Sequence, residues 1–457
     1  MLFGEKILNY WDDIMADLAK VVAIPSVCGE ATEGHPFGDE PARAVDLAME
    51  LANGYGFKTK NVGYYACHAE IGEGEENAVV MAHLDVVPEG EGWDTDPYTM
   101  TEKDGYIYGR GVSDNKGPAI IALHCLRAIK DAGVVGKRKL RVVMGSGEEI
   151  GMADMEHYFA SEQKPTMGFT PDGSYGICNC EKGILHFTIR SKNDSPVVTK
   201  FVSGTVVNAV PYKAEASVNC TAEELEVLKK TAAEVKGDFV ITATETGADI
   251  LSNGVASHGS QPDKGVNAAT HLINLLNTVF GTKIGALLSF IQEKIGFTTD
   301  GSLIGVACED EPSGKLTFNV GLVNVNSDTA DFSVDIRYPA TIDGEKLVAT
   351  IEKAATDAGL EYTDSFIQAP LYLPADGKLI KILASAYEDV TGKDCEIFSM
   401  GGGTYARQMF GNGVAFGAGF PGEVDNVHNC NERANIESLK LHAQICLEAM
   451  YRLYTAD

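Results

Sequence analysis

Apolar side chains at Ile7, Trp11, Ile14, Met15, Leu18 and Val22 recur at helical spacing until Pro25 stops the run. A second helix is expected over residues 40–53, closed by Gly54. Apolar, strand-like runs follow at 77–87, 139–145 and 167–170, and a helix over 117–132, ending at Gly133, separates the first two. Strands alternating with helices predict an α/β layer with a largely parallel sheet.

The texture changes after Gly183. GILHFTIRS, KLTFNVGLVNV and TADFSVDIRYP alternate apolar and polar residues, as half-buried strands do. Asn326-Ser327-Asp328 between the last two predicts a hairpin. With helices near 223–235 and 267–278, the stretch 184–377 reads as α+β with antiparallel sheet. From Asp376 a capped helix resumes and closes at Gly392, followed by strand-like GVAFGAGF and a last helix over 436–454. The expected fold class is α/β: a split domain, 1–183 and 378–457, with a central, mostly parallel sheet flanked by helices. An inserted α+β domain, 184–377, interrupts it.

Composition narrows the function classes. With 457 residues, 44% hydrophobic and 22% charged, the chain is ordinary for a globular protein. Its 37 basic and 65 acidic residues give a net charge of −28, which argues against a nucleic-acid binder. The ten cysteines are scattered, several in apolar runs such as AIIALHCL, so reduced thiols and a cytoplasmic location are expected. Cys178-Asn-Cys180, the only close pair, reads as coincidence rather than a metal site. The acidic first twenty residues do not resemble a signal peptide, and no apolar run approaches the ~18 residues of a membrane span.

Ligand-type side chains gather at the ends of the predicted strands, where open α/β sheets bind their ligands. AVVMAHLDVVP ends with His83 and Asp85, which share a face if the strand continues. Asp114 lies in GRGVSDNKGP before a helix, Glu148 and Glu149 in GSGEEIG, Asp172 in TPDG and His428 in VDNVHN. Singly, such residues are helix caps, packed imidazoles or solvated carboxylates. Recurring at consecutive strand ends, they suit a pair of divalent ions with nitrogen and oxygen donors. Paired ions clamp a nucleophilic water and polarise a carbonyl. Two rival motifs fall short. GSGEEIG places Ile150 where a dinucleotide fingerprint needs its third glycine. GGGTYAR lacks the Lys-Ser/Thr of a phosphate loop, leaving a turn or a cradle for a carboxylate.

HLDVVP, GRGVSDNKGP, GEEIG, TPDG, SHGSQPDKGVNA, GGGTYAR and a late histidine, in that order, resemble the co-catalytic dinuclear metallopeptidase family of carnosinases, aminoacylases, desuccinylases and glutamate carboxypeptidases. SGTVVNAVP, VDIRYP and the long middle region are most similar to its dipeptidase V-like, Xaa-His dipeptidase branch. The resemblance implies roles. His83, Asp172 and Asp114 would hold one ion, and Asp114, Glu149 and His428 the other. Asp85 would orient His83. Glu148 would be the general base toward a metal-bridging water. A cis peptide would follow Asp114. His258 would stabilise the oxyanion. Asn208 and Arg337 would hold a substrate carboxylate, while Gly402 and Gly403 would let backbone N–H groups approach the substrate. The insertion would act as a lid, and its size would permit a monomer.

The implied activity is metal-dependent hydrolysis of dipeptides with a free N-terminus. The two divalent ions would be zinc by default, with manganese or cobalt also admitted. The partner is a small peptide substrate, with no nucleic acid and no membrane. A deacylase or desuccinylase of N-acyl amino acids, and a metal-lacking binding or regulatory protein, are the competing readings.

Overall fold

The buried runs and the helices between them build two units. The computed structural model describes residues 2–457. One unit comprises the chain up to Cys180, Leu371–Ser399 and Gly403–Asp457; the other comprises Glu181–Pro370 and Met400–Gly402. The divisions thus fall at 180 and 370 instead of 183 and 377, and three residues before Gly403 join the second unit.

The first unit carries a nine-stranded sheet in the order Lys58–Val62, Ala66–Ile71, Lys139–Gly145, Asn77–His83, Met167–Thr170, Gly413–Phe416, Ile177–Glu181, Leu371–Tyr372, with Ile397–Met400 also paired to Ile177–Glu181. The central strands, from Lys139–Gly145 to Gly413–Phe416, run parallel, and antiparallel strands flank them. Every residue of Asn77–His83 is buried, as parallel strands covered on both faces require. Val80 and Ala82 face a core with Ile120, Ile121 and Leu126 of helix Lys116–Asp131 and Leu447 of helix Ile436–Thr455. Val79 and Met81 face a smaller cluster with Met155, Tyr158, Tyr405 and Met409.

Three expectations shift. Strand Asn77–His83 stops short of residue 87, because the Val86 N–H bonds to the Ser26 carbonyl. Asp85 therefore stands in the loop beyond the strand instead of sharing its face with His83. Asp376 does not cap the following helix, which starts at Lys378 behind Gly377 without a side-chain cap. Strands Lys58–Val62 and Ala66–Ile71 were not expected; small and polar residues in ACHAEI break the apolar signal.

The second unit is an eight-stranded antiparallel sheet in the order Asp238–Ala243, Gly247–Asn253, Lys213–Asn219, Val198–Ser203, Thr317–Val325, Thr329–Tyr338, Gly183–Lys192, Glu361–Gln368. The hairpin turns where expected, with Asn326 Oδ1 accepting the N–H groups of Asp328 and Thr329, each at 2.9 Å. Leu272 and Leu276 of helix Ala268–Phe280 pack with Phe201, Phe332 and Ile336 in its core. Among the described residues no helix is long and apolar enough to cross a membrane.

Candidate metal centre

His83 closes its strand, Glu148 and Glu149 follow strand Lys139–Gly145, and Asp172 follows strand Met167–Thr170. Asp114 precedes helix Lys116–Asp131, and His428 lies in the loop beyond strand Gly413–Phe416. The parallel register brings the strand ends level, so these loops meet at one edge of the first unit. Asp114 is not the helix cap that a lone aspartate suggests; Asn115 holds that position. The Asp114–Asn115 peptide is cis.

Asp114 is shared between two imidazoles. Its Oδ1 lies 3.0 Å from His83 Nε2 and its Oδ2 lies 3.0 Å from His428 Nε2. His428 Nε2 is also 3.1 Å from Glu149 Oε1, and His83 Nε2 is 3.9 Å from Asp172 Oδ2. Three sets have donor atoms mutually within 4.8 Å: His83–Asp114–Asp172, Asp114–Glu149–His428 and His83–Glu148–Glu149. None of these sets includes a cysteine; Cys178 and Cys180 lie buried in strand Ile177–Glu181.

The electrostatics favour a cation. Burial opposes charge on His83, yet Asp114 and Asp85 outweigh it and hold the imidazole well above its ordinary pKa. Hydrogen bonds to Asp114 and Glu149 lift His428 to about 10. Burial raises Asp114, but His428 and His83 more than reverse this. Burial, reinforced by Asp172, pushes Glu148 well above the usual carboxylate range. Several carboxylates around two imidazoles leave an excess of negative charge, and this nitrogen–oxygen donor set fits zinc, manganese or cobalt.

Further residues hold the donors in place. His83 Nδ1 donates to the carbonyl oxygen of Asp85 at 2.9 Å, while the Asp85 carboxylate stands 3.5 Å away. That carboxylate instead accepts the N–H groups of Glu148 and Glu149 at 3.2 and 3.0 Å. Asp154 accepts the preceding pair, Ser146 and Gly147, both at 3.0 Å, and receives the Tyr405 hydroxyl. Two buried carboxylates thus take four successive amides of the loop that carries Glu148. Asn115 donates to the Pro171 carbonyl at 2.8 Å, beside Asp172. Glu432 binds the Asp114 loop. Sequence reading passed over Asp154, Asn115 and Glu432, because burial of a polar side chain leaves no local pattern. The crowded glycines flanking Arg110 and Tyr405 within GGGTYAR were the available signals.

The remaining predicted residues lie mainly in the second unit. His258 Nδ1 accepts the Ser260 N–H at 3.1 Å, so in the neutral ring Nε2 carries the proton. The Asn208 carbonyl accepts the Gly259 N–H at 2.7 Å, and Asn319 ties both neighbouring carbonyls, Val207 at 3.2 Å and Ala209 at 2.9 Å. Arg337 is gripped by Asp335 through Nε at 2.8 Å and Nη2 at 3.2 Å, and Nη1 donates to Gly401 O at 2.8 Å. At Gly402 a Cβ would be in ordinary contact with Met400, at 3.9 Å. Gly403, in the first unit, is crowded, since a Cβ would lie 2.6 Å from Arg407 Nε.

The model of peptidase family M20/M25/M40 matches residues 79–452. A Bacillus subtilis (strain 168) protein named "Putative dipeptidase YtjP" is 34% identical over 465 residues, covering 98% of each chain. The solved di-peptidase Dug1p of Saccharomyces cerevisiae superposes with a TM-score of 0.59 at 14% identity, over 100% of this chain and 98% of its own. Aminoacylhistidine dipeptidase of Vibrio alginolyticus gives 0.57 at 16%, over 96% of both chains. The two structural likenesses speak for the fold.

Proposed function

The chain belongs to peptidase family M20/M25/M40, and from that premise we propose that it is a metal-dependent dipeptidase acting on dipeptides with a free N-terminus. One observation carries the site assignment: each oxygen of Asp114 stands 3.0 Å from a different imidazole, the arrangement of a ligand shared by two ions. His83, Asp114 and Asp172 would hold one divalent ion, and Asp114, Glu149 and His428 the other. Zinc is the proposed ion, with manganese or cobalt as the alternatives. When bound, the ions acidify a water and polarise the scissile carbonyl.

The chain's own groups supply the rest. Glu148 takes the proton of the attacking water and passes it to the leaving amine. Burial and the neighbouring carboxylates raise its proton affinity, which favours proton uptake. Asp85 and Asp154 fix the Glu148 loop, so the base stays aimed. His258 donates Nε2–H to the oxygen on which charge develops, a contribution of ~3 kcal/mol. Arg337, preoriented by Asp335, would offer its guanidinium to the C-terminal carboxylate, and Asn208 would assist it. Gly402 and Gly403 bring backbone N–H groups to the substrate. We place the enzyme in the cytoplasm, in keeping with ten cysteines scattered along the chain, and propose that it works as a monomer.

The test is a panel of free and N-acetylated dipeptides assayed with zinc, manganese or cobalt added in turn. Hydrolysis of free dipeptides alone is expected. Faster cleavage of the acetylated set would replace this reading with a deacylase.

A further inference from the structure

Glu432 is 0% exposed, yet its carboxylate meets four donors of one loop. Oε2 accepts Arg110 Nη1 at 2.8 Å and the Gly111 N–H at 2.9 Å. Oε1 accepts the Ser113 and Asp114 N–H groups at 3.0 and 3.1 Å. The Glu432 carbonyl also receives the Gly109 N–H at 3.1 Å, so the residue grips the 109–114 loop with backbone and side chain alike. Arg110, itself 1% exposed, extends the connection through Nη2 to the carbonyls of Pro88 at 3.3 Å and Glu89 at 3.2 Å.

His428 lies four residues before Glu432, in a loop that is internally tied. The Asn429 N–H bonds to the Asn426 carbonyl at 2.9 Å, and Asn426 Nδ2 to the Asn431 carbonyl at 3.2 Å. A displacement of Glu432 therefore moves His428 against Asp114. His83 and Asp172 are held differently, at strand ends beside Asn115.

We propose that Glu432, clamped by Arg110, is a positioning residue that locks the His428 loop to the Asp114 loop and so sets the affinity of the ion site those two residues share with Glu149. The inference rests on the metal reading above. It requires no contact between Glu432 and an ion, because the carboxylate acts through backbone amides.

Glu432→Gln keeps one acceptor for Ser113 and Asp114 but turns an amide NH2 against Gly111 and Arg110. Co2+ titration of the full chain against a competing chelator, followed by cobalt absorbance, reads both sites without substrate. The wild-type chain is expected to take two ions. Glu432→Gln is expected to keep one within threefold of wild type and to bind the second at least tenfold more weakly. Two ions held as tightly as in wild type, or an equal loss at both sites, overturns the proposal. If Glu432→Gln does not fold, Arg110→Lys, which drops the bonds to Pro88 and Glu89, carries the same expectation and the same refutation. A wild-type chain that takes up no Co2+ overturns the metal reading itself, a result distinct from a failure in the variant alone.

Discussion

Asp85 accepts the backbone N–H of Glu149 at 3.0 Å. Its other oxygen takes the Glu148 N–H at 3.2 Å, so one carboxylate sets where both glutamates stand. Its grip on His83 runs through its main-chain oxygen instead. Asp85→Asn leaves the backbone bond to His83 intact but turns an NH2 toward one of the two amides. We expect kcat to fall by ~10–100-fold, the range for a partner that orients a ligand. A kcat within twofold of wild type, measured at saturating metal, would show that the glutamate loop holds its place unaided.

Glu148 is the proposed base, and its replacement separates chemistry from metal binding. Glu148→Gln preserves size and removes the proton acceptor. Turnover should drop by ~10²–10⁴, the usual worth of a general base, while both ions remain bound. Elemental analysis beside steady-state kinetics decides the matter. Its donor atoms also form a set with His83 and Glu149, so loss of an ion in the variant would recast Glu148 as a ligand.

Tyr405 gives its buried hydroxyl to Asp154, which in turn holds the Ser146 and Gly147 amides. Burial first, then the charge of Asp85, raises Asp154 to about 7. Tyr405→Phe strips a donor from a buried carboxylate, a loss of about 1.5–3 kcal/mol. Thermal unfolding of the variant should shift downward accordingly, and kcat should fall more than KM rises. A variant as stable as wild type would remove Tyr405 from this network.

Much of the centre was legible because its donors recur one per strand end, and the parallel sheet brings those ends level. His83, Asp114, Glu148, Glu149, Asp172 and His428 needed only the order of strands to be brought together. The supporting carboxylates were not legible. Asp154 and Glu432 carry no local sign of burial, and only the folded chain shows that neither reaches water. Strands Lys58–Val62 and Ala66–Ile71 escaped for a related reason. Their pairing is settled by neighbours distant in the chain, not by a local run of apolar residues. Asp85 was identified from its place beside His83, but the direction of its carboxylate followed from the end of the strand, which alternation alone did not fix.

Metal removal should cost stability as well as activity. Without cations, the carboxylates of Asp114, Glu149, Asp172 and Glu148 crowd two imidazoles. A ligand that binds only the folded chain stabilises it by about 2.7 kcal/mol at a hundredfold excess over its dissociation constant. Chelated protein should be inactive and should unfold at lower temperature, with both properties returning on addition of a divalent ion. Full activity after exhaustive chelation would refute metal dependence.

A last expectation concerns pH, away from the metal centre. His442, in helix Ile436–Thr455, is fully buried. Its Nδ1 lies 2.8 Å from the Tyr175 hydroxyl, and its Nε2 has no partner among the described residues. Burial lowers its pKa to about 3. The unfolded chain, with histidine near ~6.5, therefore binds more protons than the folded chain between these two values. The contribution to stability is complete above pH ~6.5 and is lost as pH falls toward the folded pKa. At pH 5 the loss is about 2 kcal/mol. His442→Gln keeps an acceptor for Tyr175 and removes the titration. Urea unfolding at pH 7 and pH 5, with chelator present throughout so that ion release cancels, should show wild type losing more stability on acidification than the variant. Equal losses would mean that His442 takes up its proton inside the folded chain and that its burial exacts no penalty in acid.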